Sequence, residues 1–108
     1  ALTQLRNLNL SYTKVTDQGL KHLKALTQLR VLNLHGKKIT DQGLKHLKAL
    51  TQLRYLDLKS TQVADLRFGN GLKHLKALTQ LRILVLPNST TQADIAAVRK
   101  HLPNCEIH

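Results

Sequence analysis

An α/β solenoid is the fold class this sequence predicts, and three observations predict it. One unit is written four times, from Ala1, Ala25, Ala49 and Ala77, each copy opening ALTQLR. Within a unit the leucines keep the offsets LxxLxxLxL and end in apolar/polar alternation, the period of a strand with one buried face. The segment that follows, TDQGLKHLK in the first two copies, brings leucine back every third residue, as one face of a helix does. A unit of 24 residues is too short to cover its own apolar side, so neighbouring units must stack on it.

The first unit sets the pattern. Leu2, Leu5, Leu8 and Leu10 carry the LxxLxxLxL frame, and Leu8-Asn9-Leu10 is the strand. Ser11, Tyr12 and Thr13 turn the chain, and Val15 adds a branched side chain to the interior. Thr16-Asp17 is a helix start, because a Thr or Asp oxygen can accept from the free N–H groups of a first turn. Leu20, Leu23 and Leu26 then face inward, with Lys21, His22 and Lys24 on the other faces. Stacked units give a parallel sheet on one side and short helices on the other. Strands occupy less width than helices, so the stack should curve with the strands inside.

The units are 1–24, 25–48, 49–76 and 77–101, followed by a capping strand over 102–108, all in a single domain. The third unit reads VADLRFGNGLKHLK in place of VTDQGLKHLK, an insertion at 66–70 where Gly69 and Asn70 favour a turn. Leu66 and Phe68 either close over the helix ends or, with Arg67, meet a partner. In the last unit, Ala93–Lys100 is a better helix former, Thr91 and Asp94 resemble a capping box, and Ile95, Val98 and Leu102 keep an apolar stripe. Leu102-Pro103-Asn104-Cys105-Glu106-Ile107 restates LxxLxL with Cys105 in a leucine position, as a small buried hydrophobe. The chain opens at Ala1 in register, without Met or a cap. We therefore expect its first strand to be covered by residues of a longer parent or by self-association with a second copy.

The segments LTQLRNLNL, LTQLRVLNL, LTQLRYLDL and LTQLRILVL resemble the leucine-rich repeat family. VTDQGLKHLK resembles the helical side of its 24-residue bacterial, ribonuclease-inhibitor-like or F-box-associated members. The resemblance covers essentially the whole chain. It implies a right-handed, arc-shaped βα superhelix with the parallel sheet on the concave face and short helices on the convex face. It also implies protein–protein recognition through the concave side, no catalysis and no cofactor. Where the family often has Asn or Cys after the strand, this chain has Thr13, Lys37 and Thr61, so a continuous asparagine ladder is not expected. Near-identical copies arise by recent duplication or by consensus design. The irregular third and fourth copies favour duplication, while a designed or excised repeat without a physiological ligand stays open.

Composition bounds the rest. With 42% hydrophobic but only 3% aromatic residues, the core must be aliphatic. Seventeen Lys and Arg against six Asp and Glu give +11, which favours solubility and attraction to polyanions. A single cysteine allows no internal disulfide. No run approaches the roughly 18–20 apolar residues of a membrane span. A cytoplasmic location is the default expectation, although a chain that starts inside a repeat says little about targeting.

Candidate function lies where the copies differ. Strand stacking at about 4.8 Å makes columns of equivalent positions. The first reads Asn7, Val31, Tyr55, Ile83, Asn104; the second Asn9, Asn33, Asp57, Val85, Glu106; the third Ser11, His35, Lys59, Pro87, His108. A partner-binding face is expected at Val31, Asn33, His35, Tyr55, Asp57, Lys59, Ile83 and Val85, with Tyr55 as the aromatic anchor. Arg6, Arg30, Arg54 and Arg82 form a basic rim, either a site for an acidic partner or a solvated ladder copied with the repeat. His22, His46 and His74 repeat between lysines on the helix side and read as exposed copies, since metal ligands must converge on one ion. Lys21, Lys24, Lys45, Lys48, Lys73 and Lys76 make that side basic, and nucleic-acid binding there is the alternative. It lacks interleaved aromatics and any nucleic-acid-binding motif. No nucleophile–base set, carboxylate pair or phosphate loop emerges. The expected function is a noncatalytic scaffold for a protein partner.

Overall fold

A computed structural model describes residues 4–35, 38–64 and 70–108. The expected loop contacts Leu66, Arg67 and Phe68, and Lys37 after the second strand, lie outside the described residues. Five strands, β1 (Asn7–Asn9), β2 (Val31–Asn33), β3 (Tyr55–Asp57), β4 (Ile83–Val85) and β5 (Glu106–Ile107), form one parallel sheet in chain order. The helices are α1 (Asp17–Leu20), α2 (Asp41–Leu44), α3 (Asn70–Leu75) and α4 (Gln92–His101). This is the leucine-rich repeat solenoid that the sequence predicts, with overall extents of 41 × 27 × 20 Å.

The helical segments of the first two units are not uniform. α1 and α2 make one α-turn each and tighten into 3-10 turns over Lys21–Ala25 and Lys45–Leu47. Leucines three apart in sequence align on one edge only at three residues per turn, so the tighter helix suits Leu20 and Leu23 as a buried pair. α4 has its apolar stripe spread differently and stays α-helical for ten residues. Its capping box is present, with Thr91 N donating to Asp94 Oδ2 at 3.1 Å and Asp94 N donating to Thr91 Oγ1 at 3.2 Å.

The core is one continuous aliphatic stack. Leu29, Leu32, Leu34, Ile39, Leu53, Leu56 and Leu58 are completely buried. Their counterparts Leu5, Leu8, Leu10 and Val15 in the first unit are only partly covered. The difference measures what one neighbouring unit contributes, and burying a leucine side chain is worth about 1.5–3 kcal/mol. The same backbone bond recurs from unit to unit. Leu10 N donates to Asn33 O at 2.8 Å, Leu34 N to Asp57 O at 2.9 Å, and Leu58 N to Val85 O at 2.8 Å. The residues after the strand close their own turns, as the hydroxyls of Thr13 and Thr61 donate to Leu10 O and Leu58 O at 2.7 and 2.6 Å.

The terminal strand corrects the columns read from spacing. β5 sets Glu106 opposite Ile83 and Ile107 opposite Leu84. Cys105 N donates to Leu102 O at 3.1 Å, as Leu81 N does to Leu78 O at 3.1 Å. Cys105 therefore stands where Leu81 stands, and one residue is missing before Ile107, at the place Arg82 holds in the unit before. LxxLxL fits the expected register without a gap, but the turn bond through Leu102 and the strand pairing select the other. Glu106, not Asn104, continues the column of Ile83, and His108 lies beside Val85 rather than Pro87. Cys105 is buried in the core, as expected, and burial together with Glu106 raises its thiol pKa.

The helix starts also differ from expectation. Thr16 makes no side-chain cap bond, whereas Thr40 accepts from Gln42 N at 3.2 Å. The aspartates bind across to the next unit. Thr40 N donates to Asp17 Oδ1 at 2.8 Å, the Thr40 hydroxyl donates to Asp17 Oδ2, and Ala64 N donates to Asp41 Oδ1 at 2.9 Å. This crossing explains the glycine in DQGL. A methyl group at Gly43 would collide with Asp17 Oδ1 and approach Leu20 Cδ1 to 2.9 Å, and Asp17 cannot yield without giving up Thr40. At Gly19 the nearest obstacle is Val15 Cγ2 at 3.1 Å, within its own unit. Gly43→Ala should therefore destabilise the fold by about 1–3 kcal/mol in urea unfolding, through overpacking. Gly19→Ala should be close to neutral, because the helix propensity of alanine offsets a small adjustment of Val15. Equal effects of the two substitutions would contradict an inter-unit origin.

Candidate functional site

The strand face holds two columns of different character. In the first, Val31, Tyr55 and Ile83 stand in register on adjacent strands, all half-buried, so an apolar row crosses the middle of the sheet. Asn7 and Glu106 end it as exposed polar residues. In the second, the side chains are tied to the backbone. Asn9 Oδ1 accepts from Ser11 N at 2.9 Å, Asn33 Oδ1 from His35 N at 3.2 Å, and Asp57 Oδ1 from Lys59 N at 2.9 Å. Each closes the strand end by bonding the N–H two residues on. The fourth unit replaces the acceptor by Val85, and two residues on stands Pro87, which has no N–H to satisfy. The second column thus varies by a structural rule that does not bind the first.

Asp57 of the second column meets His35 of the third. Asp57 is only 7% exposed, and its Oδ2 lies 2.9 Å from His35 Nε2. The other face of the node is Tyr12, whose ring meets His35 edge-on at 6.0 Å between centroids and 68° between planes. Tyr12, His35 and Asp57 come from three successive units. Of the expected site residues, Asp57 meets His35 through its side chain and Lys59 only through the backbone N–H, while the Lys59 side chain is exposed. Val31, Asn33, Tyr55, Ile83 and Val85 lie on the strands β2, β3 and β4 of the same face.

Tyr12 was absent from the expected set. It is 89% exposed and has φ 61°, in the left-handed region that large side chains avoid. Its counterpart in the second copy is Gly36, in the third Ser60 (φ 69°), and in the fourth Asn88. A bulky aromatic in a column of turn formers was the available signal.

The family model for leucine-rich repeats (two copies) matches residues 3–48. Among solved structures, internalin C2 from Listeria monocytogenes is similar, with 28% identity and a TM-score of 0.70 over 98% of this chain and 42% of that one. The chain has the leucine-rich repeat fold. The internalin inlF of the same organism shares the fold, at 22% identity and a TM-score of 0.53 over 97% of this chain and 34% of that one. The chain thus spans less than half the length of either solved structure. No curated protein matches it.

On the helix side of the repeats, Lys21, Lys24, Lys45, Lys48, Lys73 and Lys76 are all exposed. The histidines between them are not uniformly so. His22 is exposed, but His46 and His74 are half-buried, and their Nδ1 atoms are buried without a hydrogen-bond partner among the described residues. Stacking of one unit on the previous one covers them, which spacing within a unit does not reveal. Burial and the neighbouring lysines push both pKa values below the ordinary 6.5. No helix among the described residues is long and apolar enough to cross a membrane. No group of three or more His, Cys, Asp or Glu among them could hold a metal ion.

The two half-buried histidines give a pH dependence of definite sign. Folding disfavours their protonation, so the unfolded chain takes up protons first on acidification. Their contribution is fully favourable above pH 6.5 and falls as the pH drops through that value. The urea midpoint should decrease on going from pH 7.5 to 5.5, and His46→Gln with His74→Gln should flatten that decrease. An unchanged slope in the double variant would assign the pH dependence elsewhere.

Proposed function

We propose that the chain is a noncatalytic interaction scaffold that binds a protein partner through the concave strand face around Tyr55. The observation that carries this reading is the half-exposed apolar row of Val31, Tyr55 and Ile83, joined by Val85 and set on a rigid sheet. Tyrosine at the centre of such a row supplies contact area at low entropic cost. Asn33, His35 and Lys59 frame it with polar groups, and Asp57 orients His35 from beneath. Leucine-rich repeats serve as interaction modules, which supports the class of function.

A second reading has its own observation. Lys21, Lys24, Lys45, Lys48, Lys73 and Lys76 all stand exposed on the helix side and make it positive. That side of the molecule would attract nucleic acid or another polyanion. The two faces separate in a binding assay with isolated partners. Tyr55→Ala should abolish capture of a strand-face partner, with an effect on the order of 2 kcal/mol, while Lys24→Gln, Lys48→Gln and Lys76→Gln together leave it intact. Binding that survives Tyr55→Ala, falls steeply with salt and is lost in the lysine variant would replace the strand face by the basic face.

A further inference from the structure

We infer that a cleft at the carboxyl ends of the first strands takes up one apolar side chain of an acidic protein segment. The cleft holds about 340 Å³, with Tyr12, Val15 and His35 forming its walls and Lys14 and Lys38 its rim. It lies beyond the row of Tyr55, at the turns that follow β1 and β2. The inference rests on the chain being a protein-binding scaffold, but not on the Tyr55 row.

Three features make this a prepared site rather than a gap between turns. The Tyr12 ring is held out at 89% exposure by a left-handed backbone that glycine or asparagine would adopt more readily. Nothing in the hydrophobic core rewards that choice, since the ring does not join it. The opposite wall is fixed as well, because Asp57 Oδ2 holds His35 Nε2 at 2.9 Å while the imidazole packs against the Tyr12 ring at 68°. A cleft whose aromatic walls are ordered in advance binds without the cost of ordering them.

Charge specifies the occupant. Among the described residues no carboxylate lines the cleft, and Asp57 on the strand face is already bonded to His35 and to Lys59 N. Lys14 and Lys38 are exposed at the rim. An apolar side chain flanked by carboxylates matches that arrangement, with the side chain between Tyr12 and His35 and the carboxylates on the two ammonium groups. A nucleobase on the aromatics with phosphate on the lysines is the competing chemistry. The rings stand at 68° to each other and form a corner rather than a parallel slot. A rounded side chain fills a corner better than a flat base does.

The probe is the peptide acetyl-EEFEE-amide, titrated into the isotope-labelled chain and followed by NMR. We expect saturable shifts of the Tyr12 and His35 ring resonances. Affinity should fall at least about tenfold with acetyl-EEAEE-amide, with acetyl-QQFQQ-amide or with Tyr12→Asn, the loss of one anchor or of the paired charges. Asparagine tolerates the left-handed backbone, so Tyr12→Asn keeps the fold. Tyr55→Ala should leave peptide binding unchanged, so failure of this site and failure of the Tyr55 face are read separately. Equal binding of the alanine peptide, shifts confined to the helix-side lysines, or Tyr12-dependent binding of oligo-dT in place of the peptide would each overturn the inference.

Discussion

No unit of this chain can bury its own leucines, and nearly everything else in the structure serves the contact between one unit and the next. Leu32, Leu56 and Leu84 are fully buried because each lies between neighbours, while Leu8, with a described neighbour on one side, is not. Polar groups reinforce the same interface. Asp17 reaches the backbone and hydroxyl of Thr40, Asp41 reaches the backbone of Ala64, and Gly43 leaves room for the first of these crossings. Stacking also creates the chemistry of the surface. His35 meets Asp57, and Tyr12 meets His35, only because three units share one register.

One column of the strand face is committed to the structure itself. Asn9, Asn33 and Asp57 look like candidates for binding because they are polar and variable, yet each accepts the N–H two residues on. Val85 followed by Pro87 shows the rule by its exception, since the acceptor and the donor disappear together. Variation among copies is thus not sufficient to mark a binding position. The row of Val31, Tyr55 and Ile83 has no such internal duty, and this is why it carries the proposed partner contact.

The frame was legible in the sequence because leucine offsets repeat in every copy and parallel stacking follows from them. The strands of the first four units, to within one residue, the α4 capping box and the burial of Cys105 could all be read from the sequence. What depended on contacts between units could not. LxxLxL from Leu102 fits one register without a gap, and the bond to Leu102 O with the pairing of β4 and β5 selects the other. His46 and His74 share their local sequence with His22, but the stack buries part of their rings. Tyr12 sits in a turn that sequence treats as a connector, and its role as a wall of the cleft appears only when His35 of the next unit stands beside it.

Native-state hydrogen exchange tests the interdependence of the units most directly. The amides of Leu34 and Leu58 each bond to the following unit, at 2.9 and 2.8 Å. If units are stable only through their neighbours, both amides should exchange through global unfolding, with one shared free energy equal to that from denaturant unfolding. Exchange of Leu34 and Leu58 through separate openings, each well below the global free energy, would show units that stand alone and would contradict the central role of the stack.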